Sequence, residues 1–336
     1  MLIEWLMANS APVICYRTQT ELMSITDKES LQHTMIEILA LPQTQKRLTL
    51  LKNLDYSRTH GSDSTYLENV LPMLNDFGLY YSMDAFNNET MDITDISKII
   101  LYEGYDKIIA YPFLLRAKFP ISGLLEFAVE RINTIYDFTR HMDFDIYDDA
   151  ATYKGVPKTF HDRSIIKPTV AYGNLCRLPL IYDVVMLAEV YDHVFPDMQI
   201  KIDNIIEYII SPEYGVVEPG YGILCASQRR YYSMGWDCKK PFNDNHGFAY
   251  PNIHRLLLYS NFPAAVKSTW FENAVDYLTQ YKTAAGTYIF PKEYFPEADS
   301  NWVLGSRMSL GENRRKKQWA EVESTFYMLK LLNCVE

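Results

Sequence analysis

Residues 233–252 read SMGWDCKKPFNDNHGFAYPN, a Gly- and Pro-punctuated run that gathers Trp236, Asp237, Cys238, Asn245, His246 and Tyr250. Aspartate, cysteine and histidine are acceptable zinc ligands, but Asp237, Cys238 and His246 match no compact ligand spacing. An asparagine, a histidine and a tyrosine can instead bind a sugar carboxylate, remove the proton at C5 and protonate the leaving oxygen. The residue types of DNHGFAY suit that work. They suit equally well a helix-entry loop in which Asn245 caps and His246 packs.

Just upstream, SQRRYYSMGW sets Arg229 and Arg230 beside Tyr231, Tyr232 and Trp236. Guanidinium groups next to aromatic faces suit a carboxylate or phosphate held on a flat surface, and arginine stems also snorkel over core aromatics. In MDFDIYDDA the acids Asp143, Asp145, Asp148 and Asp149 crowd together after a helix. Crowding raises carboxyl pKa values, so Asp148 could serve as a general acid, or the group could hold Mg²⁺ for a diphosphate; an exposed acidic turn has the same composition. His161 lies in the loop that follows. Glu312 precedes the last helix, where an acid facing a cavity is catalytic and an acid facing solvent is not. The catalytic candidates are therefore Asp148, Asp237, His246 and Glu312. The ligand-contact candidates are Arg229, Arg230, Tyr231, Trp236, Asn245, Tyr250 and His161. No Walker A, G-x-G-x-x-G, H-E-x-x-H or G-x-S-x-G pattern occurs, so no motif requires a cofactor.

The 336 residues are 48% hydrophobic and 22% charged, enough for a sizeable core. Aromatic residues reach 14%, with 26 tyrosines, a composition that suits cavity walls as well as packing. A net charge of −10 argues against tracking a phosphate backbone, so no nucleic-acid partner is expected. The basic run ENRRKKQW, 312–319, is local and is followed at once by Glu321 and Glu323. Five cysteines, odd in number and without a C-x-x-C pair, fit a reducing cytoplasm. The opening MLIEWLMANSAPVIC lacks a positive n-region, which argues against a signal peptide, and no apolar run approaches a membrane span.

Helical periodicity must position these residues. ITDKESLQHTMIEILALP has Thr26 and Glu29 in capping-box spacing, then Leu31, Met35, Ile38 and Leu39 on one face. Further stripes run through Leu125–Tyr136, Leu178–Tyr191, Val275–Tyr281 behind Thr269 and Glu272, and Val322–Leu332. β-Alternation is confined to short pieces. Three helices run into loops of Gly, apolar residues and Pro: Gly155/Pro157, Gly215/Pro219 and Gly286/Pro291. Such helix–loop–helix units bury their stripes only by stacking on neighbours. The expectation is a single all-α domain over 1–336, an α/α toroid with extended aromatic-rich rim loops. Residues 1–110 form a less regular first arc and 111–336 the repeats; an open solenoid is the alternative.

The segments SPEYGVVEPGYG and YLTQYKTAAGTYIFPKEY resemble the repeat ends of the terpenoid cyclase and protein prenyltransferase superfamily. The tail from GTYIFPKEYF onward looks like that of bacterial prenyltransferase-like proteins. The resemblance covers about the last 200 residues and implies a toroid with a central cavity for a largely apolar, isoprenoid-like small molecule. The family motifs depart here: MDFDIYDDA spaces Asp145 and Asp148–Asp149 one residue too widely for D-x-D-D, and Asp237 and Cys238 are adjacent where zinc-holding relatives separate them. A carbohydrate-active enzyme of the uronate lyase type and a non-catalytic binding or scaffold ring are the other two readings.

Overall fold

The computed structural model describes residues 2–55, 58–81, 103–173, 175–227, 230–238, 242–243, 247–248 and 251–334. The expectations for Arg229, Asn245, His246 and Tyr250 lie outside these residues. Thirteen α-helices occur among the described residues, and none is long and apolar enough to cross a membrane.

Burial divides the helices into two classes. In α5 (Leu67–Asp76) every side chain from Leu67 to Asn75 is buried. Burial is also continuous over Ile108–Leu114 of α6 (Gly104–Arg116), Ile181–Leu187 of α8 (Ile181–Val190) and Val322–Met328 of α13 (Trp319–Asn333). A helix buried all round belongs inside a helical layer. By contrast α3 (Lys28–Ala40), α7 (Leu124–Thr139), α9 (Pro196–Ile210) and α12 (Thr269–Thr279) bury one side only. Leu124, Ala128, Arg131, Ile132, Ile135 and Thr139 mark the stripe of α7. Pro72 and Pro112 sit inside α5 and α6, where each removes a backbone hydrogen bond; packing on all sides holds these helices despite the loss.

The wrapped helices form a succession of neighbours. α5 packs on α6, α6 on α8, α8 on α10 (Pro251–Tyr259), and α10 on α13. α13 in turn touches α1 (Leu2–Asn9) and the π-helical turn Thr18–Leu22 that extends α2 (Pro12–Arg17). From α2 the contacts run through α3 and α4 (Pro42–Lys52) back to α5. Three of the one-sided helices are joined through α11 (Pro263–Val266) in a second series, α7 to α9, α9 to α11, and α11 to α12.

The chain is mostly helical, as its periodicity predicts, but not purely so. A four-stranded sheet has the order β1 (Tyr147–Asp148), β2 (Ile165–Ile166), β5 (Ile223–Ser227), β6 (Arg230–Ser233). Its β2–β5 pair is parallel and its outer pairs are antiparallel. Hairpins β3–β4 (Ala171–Tyr172, Leu175–Cys176) and β7–β8 (Phe242–Asn243, Gly247–Phe248) complete the strands. Ile165, Ile223 and Tyr231 give the sheet a small core of its own.

Two helix starts are displaced by one residue from the expected capping boxes. Asp27, not Thr26, accepts from Ser30 N, and Ser268, not Thr269, accepts from Phe271 N. Of the three repeated glycines, Gly155 and Gly286 have positive φ (73° and 87°), whereas Gly215 lies inside a 3-10 turn, Pro212–Val216, without one.

Candidate functional site

The wrapped helices α5, α6 and α8 point the same way, and this alignment creates two distinct ends. The second residues of α5, α6 and α8 are Glu68, Tyr105 and Tyr182, and all three meet around Trp236 and His60. The indole of Trp236 lies 4.8 Å from the His60 ring, 5.8 Å from Tyr182 and 5.9 Å from Tyr105, centroid to centroid.

At this end His60 Nδ1 stands 2.8 Å from Glu68 Oε1, with the imidazole 41% exposed and the carboxylate 3% exposed. Glu68 also accepts from Gly61 N at 2.6 Å and from the Tyr182 hydroxyl. Burial, then the adjacent Glu68 carboxylate, pushes the Tyr182 hydroxyl well above its ordinary pKa, so it stays a donor. A buried carboxylate on Nδ1 fixes the imidazole tautomer and leaves Nε2 to meet a substrate. That is the geometry of a general base.

Local backbone explains how Trp236 is presented. Its φ is 64°, a left-handed conformation that a bulky residue rarely adopts. Trp236 O accepts from Ile181 N, the first residue of α8, at 2.9 Å; Gly235 N donates to Gly220 O, and Asp237 Oδ2 accepts from Gly220 N. Gly220, Gly222 and Gly235 supply the further positive φ angles these two facing turns need. Gly222 could not be replaced, since a Cβ there would meet Ser164 O at 2.3 Å. Cys238 is fully buried and donates its thiol to Pro179 O at 3.2 Å. Burial pushes that thiol well up, the state of a structural cysteine and not of a ligand or nucleophile.

The expected site residues are brought together only in part. Strands from the 143–163 and 229–246 regions enter one sheet, and Tyr231 donates its hydroxyl to Lys154 O. Asp148 and Arg230 lie on opposite edge strands, however; those strands are about 14 Å apart at ordinary spacing, and Arg230 is level with Ser227 while Asp148 is level with Ile165 and Ile223. Asp148 accepts from the Tyr153 hydroxyl at 2.8 Å. His161 is exposed, its Nε2 facing Val156 O at 3.2 Å. Glu312 is buried against Ala11 N at the start of α2; burial raises its pKa. Sequence reasoning missed His60 and Glu68, whose signal is faint: an acid in a first helical turn and a histidine beside a glycine.

The opposite end is a cavity of about 600 Å³. It collects Arg17, Asp76 and Arg116, the last residues of α2, α5 and α6, with Glu189 of α8, His254 of α10, and Tyr327 and Lys330 of α13. Arg116 pairs with Asp76 at 2.9 Å and lies 4.7 Å over the Trp302 ring, whose Nε1 donates to Asp76. Between the ends stands Phe113, fully buried, edge-on to Tyr182 at 5.9 Å and to Trp302 at 5.8 Å. Among the described residues no group of three or more His, Cys, Asp and Glu side chains is placed to hold a metal ion. Comparisons with protein-family models, with curated proteins and with solved structures return no match.

Proposed function

We propose that the two series of helices close into an α/α ring and that the chain is an enzyme acting on a uronate-containing carbohydrate. The reacting group is His60. The observation that carries this reading is the 2.8 Å contact between a half-exposed imidazole and a buried carboxylate, set beside the indole of Trp236. The aromatic residue supplies a flat face for a sugar ring. The converging helix N-termini favour a carboxylate there.

In the step that follows, His60 Nε2 takes the acidic proton on C5 of the sugar. The C–H electrons become a C4–C5 double bond, the C4–O bond breaks, and the departing oxygen takes the proton back from the imidazolium. The Glu68 carboxyl, held on Nδ1, orients and supports that imidazolium. Phe113 fills the space between the two ends, and the 600 Å³ cavity is lined with charge; both features weigh against a deep apolar site for an isoprenoid. The cytoplasmic setting and the lack of a nucleic-acid partner remain part of the proposal on grounds of cysteine usage and charge.

The test incubates oligouronates with the chain and follows the ultraviolet absorbance of the unsaturated product, with isoprenyl diphosphates in a parallel thermal-shift screen. His60→Ala should lose the activity by at least about a hundredfold, the usual range for a general base. Glu68→Gln should lower kcat more than it raises KM. Stabilisation by isoprenyl diphosphates, with no turnover of uronates, would refute this reading.

A further inference from the structure

We infer that the cavity at the C-terminal ends of the helices is a second binding site, for a small organic anion bearing phosphate or carboxylate groups. Among its lining residues five are basic and three acidic. Helix C-termini attract cations on their own account, so basic residues there are not sufficient evidence. The second observation is His254. It lines the cavity at 5% exposure, and neither ring nitrogen has a hydrogen-bond partner. Buried polar atoms without a partner are uncommon, and both nitrogens are sealed as they stand, so a ligand oxygen or hydroxyl would reach one of them as the ring turns toward the cavity.

The surrounding groups are already fixed. Arg17 is held by Glu21 and by Asp76 O at 3.1 Å, and Lys330 reaches the same Glu21 at 2.5 Å. Arg116 is pinned between Asp76 and the face of Trp302, whose ring stands 4.5 Å from His254. Side chains ordered in advance lose little rotamer freedom on binding, and a guanidinium fork suits both phosphate and carboxylate. The π-helical turn Thr18–Leu22, which carries Glu21, is a rare distortion that recurs frequently at functional sites. This site is independent of His60, which lies beyond Phe113.

Calorimetric titration and thermal shift of the full chain with pyrophosphate, with citrate, and with sodium chloride at matched ionic strength test the inference. Saturable binding of at least one polyanion is expected; a preference for pyrophosphate identifies phosphate as the recognised group, and one for citrate identifies carboxylate. Lys118→Ala and Lys330→Ala, at side chains open enough to leave folding intact, should each weaken binding about tenfold. His60→Ala should leave it unchanged. The inference is overturned if sodium chloride matches the polyanions, if neither binds saturably, or if binding survives both lysine changes or falls with His60→Ala.

Discussion

At their first turns α5, α6 and α8 contribute Glu68, Tyr105 and Tyr182; at their last turns the same helices contribute Asp76, Arg116 and Glu189. Seven to eleven residues of helix separate the two sets, by about 10–16 Å. At the beginning, a buried carboxylate is met by neutral donors, a tyrosine hydroxyl, a backbone N–H and an imidazole. At the finish, Glu21 and Asp76 are each met by a guanidinium or ammonium. The helix dipoles account for the sign of this asymmetry, since aligned helices gather partial positive charge at one end and partial negative charge at the other. The consequence is functional. Neutral donors leave a proton acceptor poised for chemistry, whereas paired charges hold a rigid cationic frame.

The largest effect should come from breaking the ion pair that anchors the beginning of α8. Arg131 of α7 makes two 2.8 Å bonds to Asp183, at 5% and 1% exposure, and Asp183 also accepts from Leu180 N at 2.7 Å. Asp183→Asn should destabilise the fold by about 3–5 kcal/mol in urea denaturation, because it leaves a buried guanidinium uncompensated. At the other end Lys330→Ala breaks a pair that is 28% and 26% exposed, and should cost about 1 kcal/mol or less. Equal losses would show that the two ends do not differ in rigidity.

Two buried groups should also answer pH in opposite directions. Burial, and then Arg255 and Arg116, push His254 from 6.5 down to about 3. Its folded value is depressed, so the native state binds fewer protons than the unfolded chain between those limits. Stability from this group is complete above pH 6.5 and falls on acidification toward pH 3, by roughly 1.4 kcal/mol per pH unit at most. Glu323, in the second turn of α13, is raised by burial to about 7, against the opposing pull of Arg314. Its contribution is complete below pH 4.5 and is lost as pH rises through 7. His254→Phe should therefore flatten the acid limb of a Tm–pH curve, and Glu323→Gln should raise Tm above pH 7. A Glu323→Gln variant that is less stable at pH 8 contradicts the buried-acid assignment.

How far the sequence carried the structure can be judged residue by residue. The stripe Leu125–Tyr136 and the run Val322–Leu332 lie within α7 and α13, because apolar spacing is a local signal. Caps slipped by one position, since Thr26–Asp27 and Ser268–Thr269 each offer two adjacent side-chain oxygens that can accept from a helix N–H, and the stronger capping residue, Asp27 or Ser268, takes the place. Trp236 was singled out as a ligand-contact candidate, and it stands in a left-handed turn beside the His60 ring. His60 and Glu68 were not, because their meeting with Tyr182 spans more than a hundred residues and depends on three helices starting at one level. Asp148 and Arg230 looked like partners by composition, yet β2 and β5 stand between their strands. Spacing along the chain does not report position across a sheet.

The smallest predicted effect tests the backbone that holds the reactive end in place, with the opposite end as its control. Trp236 and Lys118 both adopt left-handed φ, 64° and 60°, one beside His60 and the other on the rim of the cavity. Glycine enters that region freely, while any side chain is strained there by about 1–2 kcal/mol. Lys118 is exposed, with its ammonium 4.6 Å over the Tyr80 ring, so Lys118→Gly should match or slightly exceed the wild type in stability. Trp236 has a half-buried indole to lose as well as strain to relieve. Trp236→Gly should accordingly fall below wild type by about 1–3 kcal/mol but equal or exceed Trp236→Ala by up to about 1 kcal/mol, the reverse of the usual order for these residues. Denaturation midpoints of the four proteins decide it. If Trp236→Ala is the more stable of the pair, the turn relaxes when the indole is removed, and the Ile181 N–H bond does not hold Trp236 in place by itself.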